Sequence, residues 1–172
     1  MSNQYENSYE DIWWNDDKVV NYERLKESVT DDMISKIATK YNKELPQKYL
    51  ELIKKQNGGR LIKRCFIHAG EEWMVDAIYG ISSNLSNDNS IEYLTDEIRE
   101  RIVDWNLTSL NPNDIVVFAS DESGGHAYYV LDYSSLNENN EPKIVYFDTE
   151  LDEKYLLANS FEEFVSGLVF EE

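Results

Sequence analysis

The chain has 172 residues, 41% of them hydrophobic and 13% aromatic, enough apolar side chain for one folded domain and too much for intrinsic disorder. Asp and Glu number 34 against 16 Lys and Arg, and the resulting net charge of -18 ranks direct nucleic-acid binding low. The single cysteine, Cys65, excludes an intrachain disulfide, and its apolar surroundings suggest a buried, inert thiol.

The opening residues, MSNQYENSYEDIWW, show no basic segment followed by an apolar one, and no run reaches membrane-spanning length. The expectation is a cytoplasmic protein without membrane association. Residues 1–28 are expected to be an acidic arm that Tyr5, Tyr9, Trp13 and Trp14 pack onto a domain spanning 29–172.

Thr30–Tyr41 (TDDMISKIATKY) reads as a helix capped by Thr30 or Asp31, with Met33, Ile34, Ile37 and Tyr41 on one face. ELPQKYLELIKKQNGGRL follows. Pro46 suits a first helical position, and Tyr49, Leu50, Leu52, Ile53 and Gln56 form a stripe at helical spacing. Lys54 and Lys55 complement the helix dipole, and Asn57, Gly58 and Gly59 tolerate the positive φ of a left-handed exit. Arg60–Ile67 and Trp73–Ile81 then read as strands, with the loop SSNLSNDNS after them. Ser90–Trp105 predicts a third helix with Ile91, Leu94, Ile98, Ile102 and Trp105 on one side.

Beyond the turn Asn111–Asp114, IVVFAS reads as a buried strand joined through DESGG to HAYYVLDY as a hairpin. KIVYFDTE is a further strand. In NSFEEFVSGL, Ser160 and Glu163 form a capping box ahead of a stripe of Phe161, Phe164, Val165 and Leu168. Helices come early and strands late, paired by hairpins. This pattern predicts a single α+β domain, a mainly antiparallel sheet flanked by helices.

Convincing catalytic groups are scarce. His126 near Asp121 could form a dyad, yet a histidine opening a hairpin strand is more often structural, by odds of roughly five to one. Cys65 and His68 fall on opposite faces of a strand, which argues against a thiol enzyme or a metal site. Asp148, Glu150 and Asp152 resemble a calcium loop, but Glu153 stands where its glycine belongs. Gly58-Gly59 and Gly124-Gly125 lack the pattern of a phosphate loop. No catalytic residue, metal or cofactor is expected.

Several stretches together resemble the SUKH superfamily, which includes bacterial toxin-immunity proteins and yeast cell-wall regulators. They are VTDDMISKIATKYNKELP, LPQKYLELIKKQNGG, YGISSNLSNDNSIEYL, DWNLTSLNPNDIVVFASD, GGHAYYVLDY with PKIVYFDTE, and LANSFEEFVSGL, in that order from about Val29 onward. ESGG before His126 is longer than the link usual in the family. The resemblance implies binding rather than turnover: an immunity protein that neutralises a cognate basic toxin domain, commonly a nuclease. A non-enzymatic regulatory scaffold is the alternative, and a hydrolase using His126 and Asp121 the third reading. Acidic and aromatic residues in exposed connections are the expected contacts, with Glu71, Glu72 and Trp73 at one place and Asp121 and Glu122 at another.

Overall fold

The computed structural model describes residues 12–14, 23–84 and 86–172. Tyr5 and Tyr9 of the expected arm lie outside them. Trp13 is buried and bridges Leu61, with Ile12 buried beside it, whereas Trp14 is 38% exposed.

The elements in order are α1 (Asp31–Tyr41), α2 (Gln47–Lys55), β1 (Gly59–Arg60), β2 (Cys65–His68), β3 (Glu71–Met74), β4 (Ala77–Ile78), α3 (Ile91–Asp104), β5 (Ile115–Ser120), β6 (Ala127–Leu136), β7 (Pro142–Asp148), β8 (Glu153–Ala158), α4 (Phe161–Ser166) and β9 (Leu168–Val169). Among the described residues the strands form a six-stranded sheet, β1-β4-β5-β6-β7-β8, and a three-stranded one, β3-β2-β9. All these pairings are antiparallel. The protein is a single α+β domain, as the order of helical and strand patterns predicts.

Alternation along the strands sorts the core into two layers. Val116, Phe118, Tyr129, Leu131 and Ile144 point to one side, where they meet α1, α2, α4 and Phe66 of the small sheet. Ile115, Val117, Tyr128, Val130 and Phe147 point to the other, against Leu94, Ile98 and Ile102 of α3. A bulge between Val117 and Ala119 shifts the β5–β6 register, so the alternation restarts after Phe118.

The caps are those the sequence encodes. Thr30 accepts from Met33 N–H, Ser90 from Tyr93 N–H, and Ser160 from Glu163 N–H, each satisfying a donor of a first helical turn. Glu163 reaches back to the Asn159 N–H at 2.7 Å, which completes a capping box displaced by one residue. Pro46 stands at the cap of α2 rather than inside its first turn.

Four local expectations are corrected. Arg60–Ile67 is not one strand: it bends at residues 62–64 between β1 and β2. Trp73–Ile81 likewise splits into β3, paired with β2, and β4, paired with β1 and β5. Short elements serving two different sheets cannot be told from one strand by local apolar content. Trp105 is 54% exposed, its ring under the Arg101 guanidinium at 5.2 Å instead of in the core. EKYLLA, with no strand expected, forms β8.

Asn57 shows why the NGG stretch is so heavily punctuated. Gly58 and Gly59 take positive φ, at 80° and 144°, as expected. Asn57 does something else. Its buried side chain donates to the carbonyls of Glu27 and Ile81 and accepts from Ile81 N–H, tying three segments together. The fit is close enough that a Cβ on Gly80 would lie 1.9 Å from Asn57 Oδ1, and one on Gly58 2.7 Å from Gly80 N.

Candidate partner-binding surface

The structure puts Glu71, Glu72 and Trp73 on a strand, not in the connection before one. The turn Ala69–Gly70, both residues at positive φ, reverses the chain after β2. β3 then pairs Glu71 with His68, Glu72 with Ile67, and Trp73 with Phe66. Glu71 and Glu72 are exposed. Among the described residues neither side chain makes a hydrogen bond or an ion pair.

Trp73 is half-buried because β3 lies over the end of the main sheet. Its ring meets Tyr146 of β7 at 4.9 Å and Tyr155 of β8 at 5.3 Å between centroids, and Tyr146 meets Tyr155 at 6.4 Å. The tilts of 60°, 45° and 48° avoid face-to-face stacking and suit the ring quadrupoles. The Trp73 indole N–H is shielded from solvent without an acceptor among the described residues.

Asp121 belongs to the same neighbourhood. Its carboxylate accepts from the Tyr146 hydroxyl at 2.7 Å and from the Ser123 N–H at 2.9 Å, so it caps the β5–β6 turn and joins it to the aromatic cluster. Burial first, then the hydrogen bond to Asp121, pushes the Tyr146 phenol well above its ordinary range, so it stays a donor at physiological pH. Glu122 pairs instead with Arg64, the residue before β2, and Arg64 also faces Glu171 at 3.7 Å. The two groups of residues expected from sequence are therefore bridged by Tyr146, which meets Trp73 and donates to Asp121.

Beside Arg64 opens a cleft of about 500 Å³, lined among others by Arg60, Asp76, Tyr79, Ser120 and Glu122. Its charges are matched within the chain: Arg60 lies 3.3 Å from Asp76 and 3.6 Å from Glu23. Tyr79 and Ser120 share a hydroxyl hydrogen bond of 3.0 Å. The catalytic dyad considered from sequence is not assembled. His126 Nδ1 faces Glu150 at 2.7 Å, while Asp121 is taken by Tyr146 and Ser123. Cys65 is buried and His68 exposed, and burial followed by the charge of Glu72 pushes the thiol up, away from the reactive thiolate.

The acidic run after β7 is spent on backbone N–H groups of its own hairpin and of the loop after α3. Asp148 caps the Glu150 and Leu151 N–H groups, and Asp152, at φ 51°, accepts from the Thr108 and Ser109 N–H groups. Those two backbone hydrogen bonds hold the Asp152 carboxyl down at about 2. Among the described residues no group of three or more His, Cys, Asp or Glu is placed to hold a metal ion, and no helix is long and apolar enough to cross a membrane.

Sequence reasoning missed Tyr146 and Tyr155 as parts of this surface. Tyr146 was legible only as a strand residue. Tyr155 sits in EKYLLA, whose strand character is masked by flanking acids. The usable signal was the Asp-rich turn itself, which separates two runs that can pair as a hairpin.

The fold defines a class: a single α+β domain in which acidic and aromatic residues gather where β3 of the small sheet meets β7 and β8 of the main one. The chain belongs to the SMI1/KNR4 family (SUKH-1), whose family model matches residues 28–167. No curated protein matches the chain significantly.

Proposed function

We propose that this protein is a non-enzymatic immunity protein that binds and neutralises a basic toxin domain, a nuclease, in the cytoplasm. The observation that carries the reading is the pair Glu71 and Glu72, exposed on a strand beside a half-exposed tryptophan and without a cationic partner among the described residues, in a family-typical domain of net charge -18. A nuclease holds phosphates with lysine and arginine, and an acidic surface competes for that same basic face. Carboxylates speed the encounter, and aromatic anchors supply the short-range attachment. The contact set is Glu71, Glu72 and Trp73, with Asp121 and Glu122 adjoining. Asp121 and Glu122 also serve the fold, so Glu71 and Glu72 carry more of the steering. The domain begins near residue 29. The reading requires neither metal nor cofactor.

Co-expression with toxin domains encoded beside its gene tests it. Growth should be restored, and association should slow as salt rises, because screening shortens the reach of surface charge. The double variant Glu71→Lys, Glu72→Lys should slow association further while melting like the native protein. Failure to protect against any of them would remove the immunity reading. An on-rate indifferent to both salt and charge reversal would remove the electrostatic part.

A further inference from the structure

We infer that the Trp73–Tyr146–Tyr155 cluster seats one arginine or lysine side chain of a basic partner protein, held against the ring faces and flanked by Glu71, Asp148 and Glu153. The inference rests on the function proposed above and deepens it.

Comparison with other rings of the protein supports it. The exposed Trp105 and Phe170 lie under Arg101 at 5.2 Å and Lys63 at 5.5 Å, and the buried Tyr41 and Tyr128 lie under Arg99 at 4.7 Å and Arg101 at 5.7 Å. A ring with a cation from its own chain is already satisfied. Among the described residues no lysine or arginine of the chain occupies a ring of the Trp73–Tyr146–Tyr155 cluster.

What surrounds this cluster is negative. The Tyr155 hydroxyl donates to Glu153, and the charges of Glu153, Asp148 and Glu71 bear on that phenol. Tyr155 is 42% exposed, so its ring can be reached. Carboxylates beside open ring faces attract a cation twice, through charge and through the quadrupole. Packing against β3 and β7 also orders the rings beforehand, which limits what binding must immobilise.

The same charge selects the occupant. A second copy of a chain at -18 is repelled, and so is nucleic acid. A basic protein is not. The site also lies where the outer edges of β3 and β8, the end strands of the two sheets, approach through the Trp73–Tyr155 contact. A chain segment laid there can deliver a long side chain while its backbone meets a strand edge.

The probe is a hexa-arginine peptide, with hexa-citrulline as the uncharged control, titrated into the full chain by ¹H–¹⁵N NMR. The Trp73 indole resonance is identified by its loss in Trp73→Phe. Hexa-arginine, and not hexa-citrulline, should shift that resonance. Tyr155→Leu should weaken the peptide about fivefold, and Tyr155→Phe, which keeps the ring, should stay within about twofold of native. Binding that leaves the Trp73 indole unmoved, or a Tyr155→Leu protein that binds as the native one does, overturns the inference. A toxin arm separates the two readings. If Tyr155→Leu neutralises the toxin with native affinity, the cation seat falls and immunity stands. If the peptide results hold but no toxin is neutralised, immunity falls and the cation seat stands.

Discussion

Arg101 and Tyr155 mark two regions with the same ingredients put to opposite uses. Around Arg101, half-buried on α3, the guanidinium donates to the Gly125 carbonyl and the Thr149 hydroxyl, pairs with Glu97 at 2.8 Å, and lies over Tyr128 and Trp105. Cation, carboxylate and ring all come from one chain, and the region is closed. Around Tyr155, rings and carboxylates are present and, among the described residues, the cation is not. The difference teaches that aromatic content and acidity do not by themselves mark a binding surface. The proposed surface differs in having an interaction set that the chain leaves incomplete.

The largest perturbation of this comparison should come from the packing beneath both regions. Phe164 is fully buried and touches Phe66 of the small sheet, Phe118 of β5 and Tyr129 of β6. Phe164→Ala should destabilise the protein by about 3–5 kcal/mol in denaturant melts, the usual range for a truncated buried aromatic. A loss below about 1 kcal/mol would mean that the small sheet is not held down through α4, and the Trp73 face would lose its support.

Arg101→Met tests the closed region directly. It keeps most of the side-chain volume but leaves the Gly125 carbonyl without its charged donor, which should cost about 1–3 kcal/mol in the same melts. A neutral outcome would show that the Arg101 set adds nothing to stability.

Asp152 provides a pH-dependent comparison of smaller size. Its carboxyl sits at about 2 when folded, below the ordinary aspartate value, so it contributes stability that is present above that ordinary value. The contribution should disappear as pH falls from about 4 towards 2. Asp152→Asn, which still tolerates the positive φ, should therefore melt earlier than native at neutral pH and converge with it in that window. Parallel stability curves down to the lowest pH would contradict the hydrogen-bonding account.

The smallest effect belongs to the open region. Tyr155→Leu should change stability by no more than about 0.5 kcal/mol, because the side chain is 42% exposed, its hydrogen bond to Glu153 is at the surface, and Leu keeps apolar contact with Trp73. A loss comparable to that of Arg101→Met would make Tyr155 part of the scaffold and erase the contrast.

Local chemistry alone determined much of this protein. Thr30, Ser90 and Ser160 cap helices because a hydroxyl can reach an N–H two or three residues ahead, a relation wholly contained in the sequence. IVVFAS and HAYYVLDY declare buried strands by composition, and the α4 stripe reads directly as Phe161, Phe164 and Val165. The family resemblance was likewise legible, since it rests on the order of such marks. The candidate site was legible in part: Trp73 and its neighbouring acids stood out, but not the rings they meet.

Tertiary structure decided the rest. Glu92 looks like an ordinary acid in a first helical turn, yet it is buried, and burial raises its pKa, because α1 packs there with the Tyr41 hydroxyl on the Glu92 carbonyl. Asn57 reads as a residue tolerant of turns, while its side chain bonds to Glu27 and Ile81, 30 and 24 residues away. The chain between Arg60 and Ile81 was divided between two sheets by pairing with distant partners, β9 for one and β5 for the other. Trp73 and Tyr155 are far apart in sequence and meet only because β3 folds over the edge of a sheet whose last strand is β8. Capping and periodicity act within one or two turns of chain. Which exposed acids face open rings depends on contacts across the whole fold, and that information exists only in three dimensions.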